Sequence, residues 1–249
     1  LARHLSIAEK LSEALCVWQG ILKLEFTPEA VREIAHLHYK TGENQHALNS
    51  YYEYLAVAPE DDPHIYEVFK NMGNIFTRTG DYDSAEEYYH RAFRLRPYSD
   101  VLMVNYATLS YQRGELDRAV EFFRNAVRTN PKNEMGWTGL AMMHRQFGDF
   151  DLAWADLERG LELAPQNRSA VILAADWAIK DRKEVRGAEI VSEYLSLAGP
   201  DEEMSLVLIN LFCAMGRLEL ADIEIERVLS WNPSRKDVRE LREKLRDKL

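Results

Sequence analysis

Three residue types recur along this chain in a single register of 34 residues. Pro97, Pro131 and Pro165 follow at that interval and Pro233 two intervals later; Gly80, Gly114, Gly148 and Gly216 keep the same spacing, as do Ala85, Ala119, Ala153 and Ala221. A period of this length is one supersecondary unit, too small to bury its own apolar face. The chain must therefore fold as an array in which each unit covers the next.

Each residue type has a task at its place. The glycine sits in the turn between two antiparallel helices, where positive φ lets the chain reverse in few residues. The alanine five residues later marks the point where the second helix crosses the first, and a larger side chain there would push the axes apart. The proline closes one pair and opens the next, because it cannot continue a helix interior. Between these marks, Phe69, Met72 and Phe76, or Trp137, Leu140 and Ala141, return at three- and four-residue steps, as one buried helical face requires.

The register divides the chain into units at 28–61, 66–99, 100–133, 134–167, 168–201 and 202–235, with a four-residue insertion at 62–65 (Asp-Pro-His-Ile) expected to lengthen a surface loop. The unit 168–201 is degenerate: Arg182 replaces the turn glycine and Gly187 the packing alanine, so a longer or irregular turn is expected between Lys180 and Lys183. An array leaves an uncovered apolar face at each end. Val238, Leu241 and Leu245 give residues 236–249 one dry side, the mark of a capping helix; residues 1–27 are expected to form an N-terminal cap or the remnant of a truncated repeat, with Cys16 and Trp18 packed inward.

The unit 66–99, with Phe69, Met72, Gly73, Phe76, Gly80, Tyr82, Ala85, Tyr89, Ala92 and Pro97, resembles the tetratricopeptide repeat family. The units 100–133 (Ala107, Gly114, Ala119, Phe123, Ala126, Pro131) and 134–167 (Trp137, Leu140, Ala141, Gly148, Ala153, Pro165) are similar to it in turn. The resemblance spans residues 28–235. It implies an all-α fold, a right-handed αα superhelix of about six helix pairs plus caps, with a concave face lined by the first helix of each unit.

In that family the concave face holds a segment of a partner protein. Transferred onto this sequence, the lining residues are Arg32, His36, Tyr39 and Lys40, then Lys70, Asn74, Thr77 and Arg78, then Asn105, Thr108, Tyr111 and Gln112. Thr138, Met142, Arg145 and Gln146 follow, with Asp176, Lys180 and Asn210 from the late units. Against a net charge of -10 this set is basic, with Asp176 its one acid, while acids such as Glu86, Glu87, Asp156 and Glu158 lie in second helices expected to face outward. A basic trough in an acidic shell would favour an acidic or carboxylate-bearing segment. Tyr39 and Tyr111 would serve as aromatic anchors. Lys70, Asn74 and Asn105 match three places of the clamp by which chaperone-binding members grip a C-terminal carboxylate, but Met135 and Gly139 stand where its last two cations belong.

Other function classes find little footing. The acidic balance disfavours a phosphate-backbone ligand, so no nucleic acid is expected, and several of the tyrosines fall at core places. There is no phosphate loop, no nucleophile elbow and no metalloprotease motif. His36 and His38, two apart on a helix, point roughly 200° from one another and make a poor pair of metal ligands; no catalysis, cofactor or metal is expected, and His38 and His144 read as packed histidines. Cys16 and Cys213 read as small apolar residues of a reduced protein, and no segment is long and apolar enough to enter a membrane. The chain opens on Leu1, compatible with a removed upstream tag, signal peptide or domain, and the expected location is the cytoplasm. The competing reading is architectural, a homo-oligomer through cap surfaces or a bridge in a secretion, pilus or motility machine.

Overall fold

The computed structural model describes residues 2–246, with side chains from 10 to 245; Leu1 and the last three residues of the expected C-terminal cap lie outside the described residues. Fourteen helices follow one another, and no strand occurs among the described residues. The fold is all-α, of the helix-pair solenoid class. Contacts divide it into two compact units, residues 1–130 and 131–249.

The first unit holds α1 (Ala2–Leu24) and three antiparallel pairs: α2 (Pro28–Thr41) with α3 (Asn44–Val57), α4 (Ile65–Thr79) with α5 (Tyr82–Leu95), and α6 (Asp100–Gln112) with α7 (Leu116–Thr129). The second holds α8 (Glu134–Gln146) with α9 (Phe150–Leu163), α10 (Arg168–Lys180) with α11 (Glu184–Ala198), α12 (Glu202–Ala214) with α13 (Leu218–Trp231), and α14 (Lys236–Arg246). Several first helices begin on a capping side chain: Thr27, Ser99, Asn133, Asn167 and Asp201 each accept from a backbone N–H three residues on.

Every hairpin turn is closed by the same backbone bond. Glu43 donates to the His38 carbonyl at 2.9 Å, Asp81 to Phe76 at 3.0 Å, Glu115 to Ser110 at 2.8 Å, Asp149 to His144 at 2.9 Å, Lys183 to Ala178 at 2.8 Å and Arg217 to Phe212 at 2.8 Å. This is the six-to-one bond that satisfies an orphan carbonyl beyond a left-handed residue. Gly148 takes that conformation at φ 85°, and Arg182 takes it at φ 56°, the one non-glycine among the described residues to do so. The turn expected to lengthen therefore does not: residues 181–183 join α10 to α11 just as residues 147–149 join α8 to α9. Arginine bears the left-handed strain at that place because the hydrogen bond and the packing of both helices fix the reversal.

The small residues set the helix spacing. Ala47, Ala85, Ala119, Ala153 and Ala221 are all 0% exposed, sealed where the two helices of a pair cross. At Gly187 the approach is closer still, since a Cβ there would lie 2.5 Å from the Ala178 Cβ. Around these crossings Tyr51, Met72 and Ile75 pack in one core of the first unit and Tyr89, Leu102 and Leu109 in the next. In the second unit Trp154, Leu157, Trp177 and Val191 form the main core. The cap is closed by its own packing, with Val238 and Leu245 buried against Ile209, Ile225 and Val228.

At the N-terminal end the packing differs from expectation. Leu22 reaches the core of the first pair, but Cys16 is exposed and Trp18 only half-buried. A helix that covers only one neighbour has a single dry stripe, and Cys16 falls outside it.

Candidate partner-binding surface

In the first unit the residues singled out by sequence lie on α2, α4 and α6. Lys40, Arg78 and Gln112 occupy equivalent places in the last turns of these three helices, and all are exposed. The Arg78 guanidinium lies 4.9 Å from the centre of the Tyr39 ring and donates to Asn44 Oδ1 at 2.8 Å. Tyr111 is 40% exposed and open to a ligand. His36, half-buried and stacked on Tyr39, has its imidazole pushed below the ordinary histidine value by burial and then by the charge of Lys40.

Other members of the set are taken up by the protein itself. Asn74 donates to the Tyr39 hydroxyl at 2.9 Å and accepts from the Tyr89 hydroxyl at 2.8 Å, so its amide bridges α2 and α5 through α4. Thr77 is buried and bonds to the Gly73 carbonyl and to Tyr89. Thr108 donates within its own helix to Val104. Asn105 is half-buried, with its Nδ2 shielded from solvent and lacking a hydrogen-bond partner among the described residues. Arg32 is paired with Glu33 at 2.8 Å, and Lys70 with Glu67.

In the second unit the set lies on α8, α10 and α12. Met142, Gln146, Asp176, Lys180 and Asn210 are exposed, and Asp176 and Lys180 pair with each other at 2.7 Å. Thr138 donates to the Glu134 carbonyl and stands over Gly160, where a Cβ would come within 2.9 Å of its hydroxyl oxygen. Arg145 is drawn inward. It grips Asp181 and lies 4.4 Å from the centre of the Trp177 ring.

Arg32, Lys70 and Lys180 pair with acids of their own helices, whereas the acid that meets Arg145 comes from a distant turn and escaped the sequence reading. Asp181 stands just past α10, and its carboxylate also accepts from the Trp154 indole at 2.8 Å. The hydrogen bond from Arg145 holds the Asp181 carboxyl below the usual carboxylate range, against the opposing effect of burial. Asp156, expected to face outward, instead turns to the first helix of its pair and meets His144 Nδ1 at 2.7 Å. A polar residue inside the crossing of two helices finds its partner on the other helix, since leaving it unpaired costs about 1–3 kcal/mol. Glu86 does stay on the surface of its unit, gathering Arg118 and Arg113, which hold its carboxyl low.

A second surface feature was not anticipated. Between α5 and α7 lies an open apolar cleft of about 940 Å³, lined by Phe93, Tyr98, Met103, Tyr106 and Phe122 and rimmed by charged residues. The signal was present in the sequence, since Phe93 and Tyr98 are aromatic outside the core register.

Models of the tetratricopeptide repeat match residues 32–100, 77–143 and 136–167. No curated protein matches the chain. Among solved structures, it is similar to PilW, a widely conserved type IV pilus biogenesis factor, at 18% identity and TM-score 0.63, covering 86% of this chain and 97% of that one. It is also similar to pilF of Pseudomonas aeruginosa at 16% identity and TM-score 0.62, covering 87% and 97%. A tetratricopeptide repeat protein from Parabacteroides merdae aligns at 20% identity and TM-score 0.54, covering 82% and 79%. At such identities the likeness is one of fold.

Proposed function

This chain is a tandem tetratricopeptide-repeat protein, and from that premise we propose that it is a non-catalytic scaffold whose first helices hold an extended, carboxylate-bearing segment of a partner protein. The observation that supports this is the exposed row Lys40, Arg78 and Gln112, repeated once per helix along α2, α4 and α6 and flanked by Tyr39 and Tyr111. Two cations and an amide at equal register suit a peptide whose carboxylates and backbone carbonyls return at regular steps.

Charge alone does not hold such a ligand. Exposed ion pairs contribute about 0–1 kcal/mol each, whereas a dissociation constant of 1 μM corresponds to about 8 kcal/mol. The exposed Tyr111 ring and backbone hydrogen bonds must supply the rest. The three-residue match to the carboxylate clamp adds nothing to this reading, because Lys70 and Asn74 are engaged within the protein.

The test is binding of acidic, neutral and basic peptide pools, measured by fluorescence anisotropy on the wild type and on Lys40→Glu/Arg78→Glu. Acidic peptides should bind preferentially to the wild type and lose that preference in the double variant, with helicity unchanged. Equal binding of all pools, or no change on reversal, sinks the reading.

A second reading, as an architectural part of a multiprotein machine, is favoured by the apolar cleft between α5 and α7. The similarity to PilW and pilF suits that reading in fold only. Tyr98→Asp with Phe93→Asp would then break an assembly while leaving acidic-peptide binding intact.

A further inference from the structure

We propose that His38, Glu43 and His46 form a binding site for one divalent transition metal ion of the zinc type, clasping the first hairpin turn. The three residues come from successive pieces of one reversal: His38 from the last turn of α2, Glu43 from the turn and His46 from the first turn of α3. The pairing considered along the sequence, His36 with His38, is the wrong one geometrically. The turn instead brings His46 back over His38, with ring centres 5.2 Å apart and planes at 28°.

The donor atoms converge on one point. Glu43 Oε2 lies 2.8 Å from His38 Nδ1 and 3.6 Å from His46 Nδ1, and one ligand atom from each residue falls within 4.8 Å of the others. Donors at the zinc bond lengths of about 2.0–2.1 Å stand about 3.4 Å apart in a tetrahedral shell. The two measured separations to the shared carboxylate oxygen bracket that value. Small rotations of Glu43 and His46, whose side chains are 46% and 70% exposed, would close the shell.

The backbone beneath the cluster is already fixed. Gly42 takes a left-handed φ of 80°, and the Glu43 N–H is bonded to the His38 carbonyl at 2.9 Å. The second carboxylate oxygen of Glu43 lies 3.4 Å from the Thr41 hydroxyl, which has nearer acceptors in the Leu37 and His38 carbonyls at 3.1 Å. His46, three residues on from Glu43 in the first turn of α3, adds a second imidazole to the His38–Glu43 pair.

The chemistry selects the ion. Two imidazoles and one carboxylate suit zinc and its neighbours, whereas calcium and magnesium ask for oxygen donors throughout. His38 is buried on one side of the cluster while Glu43 and His46 are open on the other. That leaves water the fourth position and the ion a way in.

The experiment is calorimetric titration of the full chain, free of any histidine tag, with zinc chloride and separately with calcium chloride. The wild type should take up one zinc ion and no calcium. His46→Ala should show no measurable uptake at concentrations that saturate the wild type. Cobalt(II) gives an independent readout: intense tetrahedral absorption bands in the wild type, absent in His46→Ala at equal helicity. Absence of zinc uptake by the wild type, or equal affinity in His46→Ala, overturns the proposal.

Discussion

Arg145 donates two hydrogen bonds to the Asp181 carboxylate, at 2.7 and 2.9 Å, across 36 positions of sequence. The pair joins α8 to the turn after α10, and the Trp154 indole brings α9 into the same knot. A guanidinium read from sequence as facing a ligand is thus a structural clip of the second unit.

Asp181→Asn should destabilise the second unit by about 1–3 kcal/mol at neutral pH, as expected when a charged hydrogen-bonding partner is lost. The pH dependence follows from the depressed Asp181 pKa. Its contribution is complete above the unfolded value near 4 and disappears as pH falls through the lower folded value. Urea midpoints of the wild type should therefore drop more steeply below about pH 4 than those of the variant. Parallel profiles would contradict the assignment.

Asn74→Ala should act on stability and not on ligand affinity. The substitution leaves the Tyr39 hydroxyl without its donor and Tyr89 with Thr77 alone, at a cost of about 1–3 kcal/mol. A melting temperature that stays at the wild-type value would contradict the bridge.

Gly187→Ala tests the tightest crossing. Alanine in a helix interior is normally favoured over glycine by roughly 0.5–1 kcal/mol. Here the new methyl would meet Ala178 at 2.5 Å and Leu211 at 3.3 Å, so a loss of about 1–3 kcal/mol is expected instead. The sign of the change in the denaturation midpoint decides the matter.

Arg182→Gly should have the opposite effect. Relief of a left-handed arginine is worth about 1–2 kcal/mol, partly offset by the greater freedom of glycine in the unfolded chain. A modest rise in unfolding free energy is the expected result. A fall would show that the arginine side chain supports the turn.

The repeat was legible because punctuation and crossing residues act locally: Gly148 and Ala153 need only their own hairpin to make sense. The degenerate unit was harder to read, and the family models stop at residue 167, just before the unit that contains Arg182. The charge of the candidate surface was read less well. Register places Arg145 on a first helix, but the position of Asp181 at a neighbouring turn depends on how successive pairs stack. The same limit hid the pairing of His144 with Asp156, and of His38 with His46 across the turn, since helical angles say nothing about residues beyond the reversal.

The backbone bond that seals each hairpin forms with glycine or with arginine at the bend, arginine bearing a strain of about 1–2 kcal/mol. One module can exchange its bend residue, as the module with Arg182 does, without forcing its neighbours to adjust. A substitution at one bend is thus a local event, confined to its own hairpin while the joints on either side keep their closing bonds.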